Sequence, residues 1–387
     1  SISLMLFGSA FYLIFDPLSL LTRTSTVNLF PFFDFLARAT GDFFYIFTPL
    51  QGMVDSFTNF LSGKIIFDKP LVYQLQLLVL VMFLFIIGLS FIYRRFWCRH
   101  LCPLGAFLGF LGRFSLFGRV VDKEKCIKCL KCEDVCPLDS VRKEGLSTDK
   151  TRCQLSFECA DVCPTGAIKF GIKPQKEVYN PSRRTFLLVS GLAILNSYYL
   201  TSSISRKEKS VGLIRPPGAR EENAFLSLCC RCGQCMKVCP TNVLQPSLTS
   251  GGFEGIFTPE LNFKYSYCAW HCNECSKICP TGAIELLSLE EKRKAVIGRA
   301  YIDKNRCIPW VDYTNCLVCE ELCPNREEKG FFKEEKVKNP DGKIVELKRP
   351  LVIAEKCIGC GICEYNCPVA YEAAINVRAT EKILSTR

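Results

Sequence analysis

The sequence predicts a membrane α-helical domain joined to two small α+β modules, and three observations predict it. The stretch 71–93, LVYQLQLLVLVMFLFIIGLSFIY, holds 23 positions without a charge, and at about 1.5 Å per residue it is long enough for a bilayer core of about 30 Å. Cysteine is abundant, 26 of 387 residues, and 23 of them fall in short blocks that repeat one spacing. The net charge of +11 is spread along the chain with no long Lys/Arg tract, which argues against a nucleic-acid partner.

The cysteine blocks define the two small modules. CIKCLKCEDVCP places Cys126, Cys129, Cys132 and Cys136 before Pro137, a C-x2-C-x2-C-x3-C-P run. In such a run three cysteines wrap one [4Fe–4S] cluster and the fourth reaches the neighbouring cluster. The run returns at Cys229, Cys232, Cys235, Cys239 and at Cys357, Cys360, Cys363, Cys367. Variants of it hold Cys268, Cys272, Cys275, Cys279 and Cys307, Cys316, Cys319, Cys323. PTGAI follows the last cysteine at 164–168 and 280–284. Structural zinc sites made of four cysteines exist, but they rarely repeat a C-x3-C-P ending, and a disulfide framework fits less well still. The reading is therefore two ferredoxin-like iron–sulfur modules, over 120–180 and 205–387. Cys230 fits no template and reads as a bystander beside Cys229.

One block departs from the rule. CQLSFECADVCP supplies Cys153, Cys159 and Cys163, and Ser156 stands where a second ligand belongs. By resemblance to paired-cluster ferredoxins, Cys126, Cys129, Cys132 and Cys163 would hold one cluster. Cys153, Cys159 and Cys136 would hold the other, leaving one iron without a thiolate. That iron could take Ser156, a water or a partner's ligand, or be absent in a [3Fe–4S] cluster. A tolerated substitution beside an ordinary four-iron cluster stays open as well.

Residues 1–119 read as the membrane domain. Residues 1–21 form a second candidate span, and the start at Ser1 within an apolar run suggests that the domain is incomplete at its N-terminus. The Phe-rich stretch 27–61, broken by Pro31, Gly41 and Pro49, reads as interfacial or re-entrant. The segment 94–119 carries Arg94, Arg95, Arg99, Arg113 and Arg119 and no acid, whereas 22–70 is balanced at four basic and four acidic residues. Positive-inside bias puts 94–119 and the module after it in the cytoplasm. Cys98, Cys102 and Pro103 form a C-x3-C-P at the end of the span. One thiolate pair is half a cluster site, so metal ligation, a redox-active dithiol and a structural pair all remain possible roles. Asp16, Arg23, Asp34 and Arg38 read as solvated or lipid-facing polar residues rather than a quinone pocket.

Residues 181–204 add a third candidate anchor. SRRTFLLVSG, with Arg183 and Arg184 before an apolar run, reads as a twin-arginine export signal, an address for proteins that cross a membrane already folded. Iron–sulfur clusters are built in a reducing compartment. A cluster-bearing module destined for the outside therefore needs such a route, which puts 205–387 on the extracytoplasmic, periplasmic face of the inner (plasma) membrane. Haem is not expected in this chain. Only His100 and His271 are available as imidazole ligands, and C-x-x-C-H does not occur.

At this point a family resemblance is visible. Through WCRHLCPLGAFLG and the block after it, residues 1–172 resemble membrane iron–sulfur proteins of the NapH type, related to NosR and MauN. Through SRRTFL, CCRCGQCMKVCPTN, YCAWHCNECSKICPTGAI and IGRAYIDKNRCIPW, residues 182–377 resemble MauM/NapG polyferredoxins. The resemblance implies a fusion of two proteins that elsewhere work together. It also implies nested pairing in the second module: Cys229, Cys232, Cys235 with Cys367; Cys357, Cys360, Cys363 with Cys239; Cys268, Cys272, Cys275 with Cys323; Cys307, Cys316, Cys319 with Cys279. Sequential pairing is the competitor.

The expected cofactors are about six iron–sulfur clusters, mainly [4Fe–4S], with a further one conceivable at Cys98 and Cys102. The expected function is an electron-transfer subunit of a quinol-oxidising membrane complex rather than a stand-alone enzyme. Its partners would be a cytochrome or another iron–sulfur protein, and quinone. A maturation factor for another metalloenzyme and a conduit for a cytoplasmic donor are the alternatives.

Overall fold

The computed structural model of the chain describes residues 14, 16–46, 51–61, 70–92, 96–97, 102–142, 145–172, 187–188, 191–192, 194–195, 213–248, 250–325, 332–338 and 342–379. The chain divides into two units, residues 1–20 with 80–201 and residues 21–79 with 202–387. The stretch 21–79 thus belongs with the C-terminal half rather than with the segment that follows it.

In the first unit, β1 (Gly118–Val121) pairs antiparallel with β4 (Ile168–Gly171), and β2 (Val141–Arg142) with β3 (Ser147–Thr148). One-turn helices fill the gaps: α6 (Lys131–Asp134) between β1 and β2, and α7 (Glu158–Asp161) between β3 and β4. The result is a duplicated β-α-β with the cysteines on its inner turns. Each helix opens from a left-handed residue, Leu130 or Phe157, both at φ 64°. In the second unit Gly233 (φ 79°) and Gly361 (φ 77°) hold the same place after the second motif position. Glycine adopts this conformation freely, whereas a side chain there costs about 1–2 kcal/mol.

The second unit takes in the end of α1 (Pro17–Thr24), then a π-helical turn (Ser25–Leu29), α2 (Phe30–Tyr45) and α3 (Gln51–Leu61). Pro31 does not break this region. It follows a π-helical turn, and the helix runs on through it as α2. Then come α8 (Glu222–Leu228), α9 (Gln234–Lys237), β5 (Leu244–Pro246), β6 (Pro259–Leu261), α10 (Glu274–Ile278), α11 (Leu289–Lys294), β7 (Arg299–Ile302), α12 (Ile308–Val311), α13 (Val318–Glu321), the hairpin β8 (Phe332–Lys338) with β9 (Ile344–Pro350), α14 (Ile362–Tyr365) and β10 (Ile375–Arg378). A bridge between Ala219 and Ile284 encloses the first two cysteine motifs. The β7–β10 pair, in register from Ile302↔Ile375 to Arg299↔Arg378, encloses the last two.

The expected membrane α-helical domain is overturned. Among the described residues no helix is long and apolar enough to cross a membrane. Among its described residues the uncharged stretch 71–93 is helical over the 17 residues of α4 (Gln76–Ile92), about 26 Å at 1.5 Å per residue, against a bilayer core of about 30 Å. Residues 71–75 are drawn out of that helix by the rest of their unit. Leu71 and Tyr73 are buried. The Tyr73 hydroxyl donates to the Met236 carbonyl at 3.3 Å, the Gln74 N–H to Gln245 Oε1 at 3.1 Å, and Asn242 Nδ2 to the Val72 carbonyl at 2.7 Å. Of the span expected at 1–21, α1 covers the end. Most of that expected at 185–204, with Arg183 and Arg184, lies outside the described residues.

The solvated reading of two polar residues also fails. Arg23 is fully buried, with its guanidinium 4.2 Å over the Phe257 ring. Burial, and then the neighbouring Arg231, lower its pKa to about 10. Asp34 is buried and accepts from Arg38 Nε at 3.0 Å.

Candidate metal centres

In the first unit the strands and one-turn helices face two cavities. Cys126, Cys129, Cys132 and Cys163 line one of about 360 Å³. Cys136, Cys153, Ser156 and Cys159 line the other, of about 350 Å³. Ser156 therefore stands on the wall with the three thiols of its set. Cys136 accepts from the Ser140 N–H at 3.2 Å, and its sulfur lies 3.1 Å from the Ser140 hydroxyl. Burial opposes its ionisation, but these bonds outweigh it and bring the thiol down.

The second unit holds four sets. Cys235 lies among Cys229, Cys239, Cys275 and Cys279, and Cys275 beside Cys268, Cys272 and Cys239. Cys307, Cys316, Cys319 and Cys367 line one cavity of about 360 Å³. Cys323, Cys357, Cys360, Cys363 and Cys319 line another of about 660 Å³. Neighbouring motifs thus exchange their last cysteines: Cys279 joins Cys229, Cys232, Cys235; Cys239 joins Cys268, Cys272, Cys275; Cys367 joins Cys307, Cys316, Cys319; and Cys323 joins Cys357, Cys360, Cys363. This replaces the nested exchange that the resemblance implies. The reason lies in the strands, since the Ala219–Ile284 bridge and the β7–β10 pair each close around two consecutive motifs.

The four sets form a line. Cys235 and Cys275 join the first to the second. The Cys268 N–H donates to the Cys360 carbonyl at 2.9 Å, joining the second to the set of Cys357, Cys360 and Cys363. Cys319 and Cys363 join that set to the last. Tyr267 and Tyr365 pack at 5.8 Å beside the middle junction.

Burial pushes the Cys268 and Cys319 thiols up to about 12 and those of Cys307 and Cys360 to about 11. Thiols in such cavities hold their protons until a cation replaces them, so loading with iron releases protons. Among the described residues no group of three or more His, Cys, Asp and Glu side chains is drawn together around a single ion. What the thiols surround is a cavity, as a multi-iron cluster with cysteines at its corners requires.

Cys98 lies outside the described residues. Cys102 caps α5 (Pro103–Gly112), its sulfur accepting from the Gly105 N–H at 3.3 Å. A hydrogen bond with the Cys232 thiol is the main cause that lowers the Cys230 thiol. Two residues escaped the reading of the sequence. Arg119 is buried between the two cavities of the first unit and lines both. Lys292, also buried, donates to the Ala269 carbonyl beside Cys268. A lone charge on a short strand or helix carries no signal of such a place.

Comparison with known proteins agrees with this chemistry. Models described as 4Fe-4S binding domains match residues 75–123, 119–142 and 348–369, and a 4Fe-4S dicluster domain matches 228–283. The chain is 42% identical over 79 residues to the uncharacterized protein MJ0749 of Methanocaldococcus jannaschii, covering 20% of this chain and 29% of that one. It is 41% identical over 70 residues to the ferredoxin-type protein NapH of Haemophilus influenzae (18% and 23% covered). It is 40% identical over 81 residues to the methylamine utilization ferredoxin-type protein MauN of Paracoccus denitrificans (20% and 26% covered). Ferredoxin-type proteins named NapG, from Escherichia coli, and MauM, from Methylorubrum extorquens, match as well. The matches span under a third of the length of the first three relatives. These matches give the chain several 4Fe-4S binding domains.

Proposed function

We propose that the chain is an electron-transfer subunit of an oxidoreductase complex, holding six clusters and relaying electrons between a quinol-oxidising donor and a second redox protein. The observation that carries this reading is the line of four cysteine sets in the second unit, each adjacent to the next. Such a line has two ends, and a carrier with two ends serves two partners. The names NapH and NapG among the relatives support the direction of the reading, as does the match of 4Fe-4S models along the chain. A maturation role is the second reading, favoured by the similarity to MauN and MauM.

Six clusters predict about 23 or 24 irons per chain, the lower figure if the set of Cys136, Cys153 and Cys159 holds three. Iron and acid-labile sulfide should be quantified together in the parent and in Ser156→Cys. The variant is expected to hold about 24 and to change the EPR signal of one cluster alone. Four clusters or fewer, or stoichiometric zinc, would sink the assignment.

We also propose that residues from about 205 onward work outside the cytoplasm, on the strength of Arg183 and Arg184. With both replaced by lysine, protease added to spheroplasts should spare that region, while digesting it in the parent. Protection in both chains places the region inside.

A further inference from the structure

Arg119 sits on β1 with 3% of its surface exposed. Its guanidinium donates to Cys132 Sγ at 3.4 Å, to the Gly145 carbonyl at 2.8 Å and to Thr148 Oγ1 at 3.2 Å. It also hydrogen-bonds the Cys159 thiol. Cys132 lines the first cavity and Cys159 the second, and Arg119 lines both. Its Nε has no partner, and among the described residues no carboxylate pairs with it. A guanidinium taken out of water costs several kcal/mol unless an anion compensates it. The anions placed to compensate it are the thiolates of the two cysteine sets and the clusters these sets would hold.

We propose that Arg119 is a shared positioning residue that sets the reduction potentials of both clusters in the first unit. The proposal rests on the iron–sulfur reading above. Each cluster takes up one electron on reduction and becomes one unit more negative. A fixed positive charge in hydrogen-bond reach of a ligand sulfur stabilises the reduced form more than the oxidised one, and so raises the potential. Arginine suits this place because its planar fork reaches two sulfur sets at once and stays charged when buried. A lysine can offer the charge but not the fork. Lys292, buried beside Cys268, partly offsets the burial that raises the thiols of Cys268 and Cys360, and so holds a comparable position between two sets of the second unit.

The test is a potentiometric titration of the full chain with dithionite, followed by EPR, in parent, Arg119→Gln and Arg119→Lys, with iron and sulfide measured on the same samples. In Arg119→Gln two potentials are expected to fall, each by about tenfold in the reduced-to-oxidised ratio, about 59 mV for a one-electron couple. The others should stay as in the parent, which provides an internal control. In Arg119→Lys the same two should fall by less. Unchanged potentials in Arg119→Gln at full iron content overturn the proposal, and a fall at only one cluster overturns the sharing. If the glutamine variant loses iron, the lysine variant decides, and unchanged potentials there overturn the proposal. A parent without iron would instead refute the cluster assignment itself.

Discussion

Cys367→Ala is expected to remove the cluster bounded by Cys307, Cys316 and Cys319, about four irons per chain, and to leave that of Cys357, Cys360 and Cys363 in place. The expectation follows from the cavity walls. Cys367 lies in its own motif by sequence but faces the preceding motif's thiols, while Cys323 faces the following one's. Two substitutions that destroy the same cluster cannot destroy it twice. Cys307→Ala and Cys367→Ala combined should therefore lose about the same four irons as either alone, whereas Cys357→Ala and Cys367→Ala together should lose about eight. Under nested pairing, Cys367→Ala would instead be non-additive with Cys229→Ala. Iron and sulfide analysis of these double variants separates the two arrangements.

Arg215→Met is expected to destabilise the second unit by about 3–5 kcal/mol, because it strands a buried carboxylate. Arg215 Nη2 lies 2.6 Å from Glu222 Oε1 and its Nε 3.0 Å from Oε2, with the two side chains only 6% and 10% exposed. Its Nη1 donates to Thr258 Oγ1 at 2.9 Å and to the Pro259 carbonyl at 2.7 Å, and its face lies 4.6 Å over Phe225. The pair ties Arg215 to α8, which leads directly into Cys229. Glu222→Gln, which keeps a hydrogen-bonding head group, should cost about 1–3 kcal/mol. Urea unfolding followed by loss of cluster absorbance measures both. A cost in Arg215→Met below about 0.5 kcal/mol, the range of ordinary surface substitutions, would show that the pair does not hold the unit together.

The cysteine sets were legible because cluster ligation is local. Three thiols within about seven residues need only one tight turn, and Leu130, Phe157, Gly233 and Gly361 supply it at the same motif position. The fourth cysteine of each set in the second unit was not legible. Its partner is decided by strand pairing across some seventy residues, as Ile302 with Ile375 illustrates, and local spacing says nothing about that. The apolar stretch 71–93 misled for a related reason. Hydropathy counts side chains but cannot see that Tyr73 and Gln74 have partners at 236 and 245. Arg119 misled in the opposite sense. Counted among loop charges as a marker of orientation, it is instead enclosed among thiols. The α+β modules followed from the motifs, while the membrane helices expected beside them did not hold, because residues 71–75 pair with residues 236–246 and leave α4 short of a bilayer core.

The described strands pair only two by two, and most helices of the cysteine modules are a single turn. Elements of that size cannot cover one another well enough to stand alone in water. Iron and sulfide therefore act as the keystone of each module, and conformational order becomes a function of cellular iron supply. Binding free energy at each site is folding free energy, so a cell short of iron would carry this chain as a loose, protease-accessible polypeptide rather than as an intact but inactive carrier.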